Sequence, residues 1–166
     1  SGTSEPRYAE IARMMAESGD WITPWFEPGV PFWGKPPLSF WVQALSIRLF
    51  GLDEWAVRFP SLLAFLAILA VIHTVARRYA GLRAAFWAVI VYASCALPYI
   101  AGIAVLTDPF LALGTTLCMA GFVLGQWYWR ALGFVGLAIG LLAKGPLAGV
   151  LVVGSIATGW LICRQC

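Results

Sequence analysis

The sequence predicts an all-α polytopic membrane protein whose spans are preceded by two juxtamembrane amphipathic helices. Three observations predict it. The chain is 61% hydrophobic and only 11% charged, whereas a soluble domain carries about 25% charged residues. Apolar runs of about 17 residues or more recur after Pro60, and runs of that length read as membrane helices. Charge, proline and tryptophan crowd instead into one block from Ser4 to Trp41. The charge depletion runs against a soluble bundle, and the lack of period-two alternation runs against a membrane β-barrel.

The polar block divides into two helices and a loop. Ser4 is a suitable N-cap, with Glu5 and Pro6 in the favoured first-turn positions. Tyr8, Ile11, Ala12 and Met15 then share one face, while Glu10, Arg13 and Glu17 share the other at pairing distance. Gly19 is placed to end this helix after about 14 residues. Residues 20–37 form a loop with five prolines and three tryptophans. Proline fixes φ and stiffens it, and its aromatic rings suit a membrane–water boundary. A second helix of about 14 residues runs from Pro37 to Phe50, too short to span a bilayer. Leu38, Trp41, Leu45 and Leu49 make its apolar stripe, opposed by Ser39, Gln43 and Ser46. Gly51 ends it, and Asp53 can cap the next segment.

Residues 1–59 are thus expected to form an outer, periplasmic loop, and residues 60–166 a bundle of about five spans. The spans are placed at Pro60–Ala76, Ala84–Ala104, Pro109–Trp129, Ala131–Ala143 and Pro146–Ile162. Arg77, Arg78, Arg83, Arg130 and Arg164 fall on one side with no acid among them, so that side is cytoplasmic by the positive-inside rule. All eight acids fall on the other side. Ser1–Gly2–Thr3 offers no basic-then-apolar leader, and both ends read as cut from a longer protein.

Few residues are placed to do chemistry. Asp108 is the only acid after Glu54 and stands at the outer mouth of the third span. An ionisable group there is costly unless wet, paired or functional; it also makes an ordinary helix start before Pro109. Lys144 interrupts an apolar run just before Gly145–Pro146, a helix break that frees backbone groups. It is suited to a phosphate, or to snorkelling toward headgroups. Lys35 is held by Gly34, Pro36 and Pro37 among rings. Glu5 and Arg7 open the first helix, where a carboxylate also simply complements the helix dipole. His73 has no partner ligands in the pattern and reads as packing. Cys95 and Cys118 read as small hydrophobes, and Cys163-x-x-Cys166 lacks the second ligand pair that a metal site needs. Nothing resembles a nucleotide-binding loop or a nucleic-acid-binding stripe, so no nucleic acid partner is expected.

One ordered set of motifs carries a resemblance. Ser4–Glu5–Pro6–Arg7–Tyr8, Gly19–Asp20–Trp21, Lys35–Pro36–Pro37–Leu38 with Trp41, Phe50–Gly51, Arg58–Phe59–Pro60, Thr107–Asp108–Pro109 and Lys144–Gly145–Pro146 resemble the N-terminal part of the polyprenyl-phosphate-dependent membrane glycosyltransferases. That family includes bacterial lipid A aminoarabinose transferases and protein O-mannosyltransferases. The resemblance implies a partial GT-C-type fold in a bacterial inner membrane. It implies transfer of a sugar from a polyprenyl-phosphate donor to a lipid or protein acceptor on the outer face. Glu5 and Asp108 would then be catalytic, and Arg7, Tyr8, Lys35 and Lys144 would bind substrate. Membrane lipids, and the remaining spans and outer domain of a longer protein, would be the partners. Two departures stand out. Ser4 replaces the first acid of the family's Asp–Glu pair, and Gly34 replaces a Glu that sometimes ligates metal. No metal or other cofactor is therefore expected of this chain, although the complete protein has room for a divalent ion. The alternatives from other classes are a non-catalytic membrane protein that binds a lipid phosphate, and a small transporter. The transporter would call for related halves, which the sequence does not show.

Overall fold

The computed structural model describes residues 4–27, 29–95 and 108–165, with the backbone alone for 4–6 and 162–165. Six helices follow one another in the described residues: α1 (Ser4–Ser18), α2 (Leu38–Phe50), α3 (Glu54–Ser94), α4 (Asp108–Leu124), α5 (Trp127–Lys144) and α6 (Pro146–Gln165). A two-stranded ladder of β1 (Trp25–Glu27) and β2 (Val30–Pro31) lies between α1 and α2.

The first helix forms as the pattern predicts. Ile11, Ala12 and Met15 are fully buried. On the opposite face Arg13 spans Glu10 at 2.5 Å and Glu17 at 2.7 Å. Gly19 takes φ +73° and donates its N–H to Met15 O, the left-handed stop that glycine makes without strain. The proline-rich loop is more ordered than its sequence implies. Its two strands pair antiparallel, Trp25 with Pro31, and Phe32 N–H donates to Pro24 O at 2.7 Å. Gly51 (φ +90°) ends α2, and the Asp53 carboxylate accepts from Glu54 N–H at 2.9 Å to cap α3, both as expected.

Helix α2 turns its polar face inward. Ser39, Gln43 and Ser46 are buried, while Leu45 and Leu49 are exposed. The Ser46 hydroxyl donates to Ala56 O at 2.5 Å, so the polar face is turned onto α3. Ser39 Oγ and Gln43 Oε1 are buried without a hydrogen-bond partner among the described residues, while the exposed leucines suit contact with lipid. Phe40, Ala44 and Ile47 fill a second buried face, where Ile11 and Met15 meet Phe40 and Ala44.

Inside α3, Gly81 has φ +84° and ψ 175°, and two helical arms meet there. The rings of Phe65 and Tyr92 stack with centroids 6.2 Å apart, so the arms fold back side by side. The expected first and second spans correspond to these arms. The outer end of the second, residues 96–104, lies outside the described residues, as does Thr107. The third and fourth spans need correction. Gly125 (φ +69°) breaks the chain after α4, and Trp127, Tyr128 and Trp129 open α5 instead of closing α4. The fourth element is accordingly 18 residues long instead of about 13. By length and composition, α3 is the helix apolar and long enough to cross a membrane; α2, α4 and Pro146–Leu161 of α6 are shorter apolar helices.

Glycines bring α4 and α5 into backbone contact. A Cβ on Gly114 would lie 2.5 Å from Gly136 O and 2.6 Å from Gly140 N. One on Gly121 would lie 2.6 Å from Trp129 O. The Tyr79 hydroxyl donates to Val123 O at 2.6 Å and ties the Gly81 turn to the α4–α5 turn. Arg77, Arg78 and Arg83 flank the first turn and Arg130 follows the second, so they share one end of the bundle. The side chain of Arg164, and those of Cys163 and Cys166, lie outside the described residues.

Candidate functional site

The opposite end of the bundle holds the expected site residues. Asp108 opens α4 and Lys144 closes α5, and the glycine seam between these helices aligns their ends. The Lys144 ammonium and the Asp108 carboxylate form an ion pair, with Lys144 mostly buried and Asp108 half exposed. Gly145 (φ +64°) stops α5 directly after the lysine, and α6 starts at Pro146. Two residues 36 positions apart thus meet, which their spacing could not show.

The platform of α1, the loop and α2 reaches the same end. Leu38 and Val42 of α2 pack on Phe110, Leu111, Ala143 and Ala148, the residues that flank the ion pair. Lys35 stands three residues before Leu38, and its ammonium lies over the Tyr8 ring at 5.8 Å. Tyr8 meets Phe40 edge-on at 5.9 Å and Phe32 at 6.4 Å, while Phe32 meets Phe40 at 6.2 Å. The Arg7 guanidinium lies over Phe26 at 5.2 Å. Among the described residues, no carboxylate pairs with Arg7 or Lys35. A cation seated on a ring keeps its charge available to an anion. Glu5 falls in the first turn of α1, but its side chain is outside the described residues. Sequence reasoning missed the ring seats. Phe26 and Phe32 read only as interfacial aromatics, because which ring meets which cation depends on how the β1–β2 ladder folds.

Hydrogen bonds fix this platform. Asp20 accepts from Ile22 and Thr23 N–H at 3.0 Å each and from the Trp25 indole at 2.9 Å. These bonds, Thr23 first, hold its carboxyl below the usual range. The Trp41 indole donates to Trp21 O at 2.6 Å, and Arg48 lies over the Trp21 ring. The hydrogen bonds from Arg13 lower the Glu10 pKa and raise that of Arg13. Glu10 and Glu17 are thereby committed to Arg13. Gly34 supplies no ligand where the resemblance expects Glu. A Cβ there would meet Phe32 Cζ at 2.9 Å, because the ring takes that space. Among the described residues no three of His, Cys, Asp and Glu gather.

Residues 1–165 match the family model for dolichyl-phosphate-mannose-protein mannosyltransferase. The undecaprenyl phosphate-alpha-4-amino-4-deoxy-L-arabinose arabinosyl transferase of Edwardsiella ictaluri (strain 93-146) is 37% identical over 97% of this chain and 30% of its own length. A second such transferase, from Sodalis glossinidius (strain morsitans), is 35% identical over 97% of this chain and 30% of its own length. The chain therefore spans about 30% of the length of these relatives. The crystal structure of ArnT from Cupriavidus metallidurans in the apo state superimposes with a TM-score of 0.85 at 31% identity, covering 99% of this chain and 33% of that one. The form bound to undecaprenyl phosphate gives a TM-score of 0.85 at 30% identity over the same shares.

Proposed function

We infer the function from one premise: the chain belongs to the dolichyl-phosphate-mannose-protein mannosyltransferase family. The helices have the GT-C arrangement of ArnT, and the family is one of membrane proteins. The further reading is that the chain is the N-terminal part of an inner-membrane, multi-pass glycosyltransferase with about five spans here. It faces a polyprenyl-phosphate sugar donor at the outer leaflet. The relatives' names make undecaprenyl phosphate-4-amino-4-deoxy-L-arabinose the first donor to offer.

The observation that carries this reading is the Asp108–Lys144 ion pair beneath the platform of Arg7, Tyr8 and Lys35. Sugar transfer from a lipid phosphate forms a bond from an acceptor oxygen or nitrogen to the anomeric carbon. It breaks the bond from that carbon to the phosphate oxygen. The acceptor loses a proton and the departing phosphate gains negative charge. A carboxylate beside an ammonium answers both needs. Asp108 or Glu5 takes the proton. Lys144, Lys35 and Arg7 neutralise the phosphate. The aromatic seats place the platform cations beside apolar surface, where a charge interaction is stronger than in bulk water. Serine at position 4 leaves Glu5 as the one carboxylate of the opening pair. No metal is assigned to the described residues.

The test is transfer from a radiolabelled polyprenyl donor by the complete protein. Asp108→Asn and Glu5→Gln should each lower the rate by about 10²-fold or more. Full transfer by both variants would overturn the assignment.

A further inference from the structure

The end of the bundle farthest from Asp108 holds a feature that sugar transfer does not use. Helix α6 is fixed to its neighbours near its start. Ala148 is fully buried, and a Cβ on Gly140 would meet the Ala148 Cβ at 2.8 Å. Val152 is the last buried residue among the described side chains of α6, and Val153 beside it is exposed. Beside it opens a groove of about 570 Å³ toward α3, and another of about 540 Å³ toward α5.

The groove toward α5 is the informative one. Its walls come from α4 (Cys118, Gly121), α5 (Arg130, Gly133) and α6 (Gly149, Val153), and Arg130 is the one charged side chain in the lining. On α5 it runs from Arg130 to Leu141. That is about 16 Å of helix, one leaflet of a bilayer whose apolar core is about 30 Å thick. Glycines in its walls give it depth without polar groups. At the Arg130 end, α5 begins with an exposed Trp127 and with Gln126 making no side-chain cap, so its first amides keep free donors. Helical side chains lean toward their own N-terminus, which directs Arg130 toward those amides. The sequence holds no acid after Asp108. Arg77, Arg78 and Arg83 stand at the same end, tied in by Tyr79 and Val123. An apolar slot one leaflet long, ending in an arginine with no acid at its end of the bundle, is complementary to an anion with a hydrocarbon tail.

We propose that the α4–α5–α6 groove is a binding site for an anionic phospholipid of the arginine-side leaflet, with its phosphate on Arg130 and one acyl chain lying along Gly121 and Gly133. The site rests on the membrane placement of the chain and not on sugar transfer. The lipid fills the space that α6 leaves, and so supports α6 against α5.

Native mass spectrometry of the complete detergent-solubilised protein tests this, with phosphatidylglycerol and phosphatidylcholine offered at equal concentration. The protein should keep one phosphatidylglycerol with a preference of about fivefold or more. Arg130→Gln should remove the preference. Val153→Trp, which fills the groove from the exposed side of α6, should remove retention of either lipid at unchanged helix content. Arg78→Gln, at the same end but outside the groove, should keep the preference. Equal retention of the two lipids, equal loss in Arg78→Gln and Arg130→Gln, undiminished retention in Val153→Trp, or a second protein copy in place of lipid would each overturn the proposal.

Discussion

The α4–α5 seam and the α1–loop–α2 platform meet at one end of the molecule but are built by opposite means. In the seam, backbone lies on backbone. Gly114, Gly121 and Gly136 leave less than 3 Å for an added Cβ, so what holds the helices is the absence of side chains. In the platform nearly every contact is a side-chain contact. Rings pack edge to face, indoles donate to carbonyl and carboxylate oxygens, and cations sit on rings. The seam can set the distance between Asp108 and Lys144 but offers no chemistry of its own. The platform offers chemistry and must be held by specific side chains.

Substitutions in each region can break that contrast. The largest effect is expected from Phe40→Ala, which removes the fully buried ring shared by Tyr8 and Phe32. It should lower stability by about 3–5 kcal/mol, read by denaturant titration of the helical signal. Gly114→Ala adds one methyl group against backbone and should still lower stability by about 1–3 kcal/mol. A neutral Gly114→Ala would end the claim that the seam is closed to side chains. Trp41→Phe keeps most of the ring and loses the bond to Trp21 O, for about 1 kcal/mol. Acid should then separate the regions. Asp20 and Glu10 have folded pKa values below their ordinary 3.8 and 4.5. Their contribution is therefore complete above those values and is lost as pH falls through the lower folded ones. Below about pH 4, tryptophan fluorescence of the platform should change while the glycine-packed stretch of the α4–α5 seam from Gly114 to Gly121, away from the Asp108–Lys144 pair, keeps its hydrogen-exchange protection. The smallest effect is expected from Glu17→Gln, an exposed pair worth about 0.5 kcal/mol or less.

The same contrast explains what the sequence made legible. Helix α1 could be read from Tyr8 to Gly19, because the stripe, the i,i+3 and i,i+4 pairs and the glycine stop are local properties of the chain. Gly51 and Asp53 were legible for the same reason. The two faces of α2 were legible, Leu45 and Leu49 against Ser39, Gln43 and Ser46, but not which of them the fold buries. Ser39, Gln43 and Ser46 turn inward where the surroundings are lipid. The α4–α5 boundary was misplaced because Trp127–Tyr128–Trp129 reads equally well as the end of one span or the start of the next; only the φ of Gly125 decides. Glycines crowd residues 133–149, a composition that permits close helix packing, but only the fold shows that Gly136 and Gly140 are the ones set against Gly114. Asp108 and Lys144 could each be singled out, but their pairing is a product of the seam. Ring seats for Arg7 and Lys35 required the ladder, which three- and two-residue strands rich in proline do not announce.

Gly81 has a consequence for how the protein sits in its membrane. An unbroken helix of 41 residues would be about 60 Å long, twice the thickness of a bilayer core of about 30 Å. Such a rod would carry Arg77, Arg78 and Arg83 past the hydrocarbon, at about 2.5–3.5 kcal/mol for each arginine at the midplane. One residue at positive φ folds the rod back on itself. The arginines become the tip of a hairpin, and neither arm has to carry them into the apolar core. The length of each arm is set by the position of a single glycine.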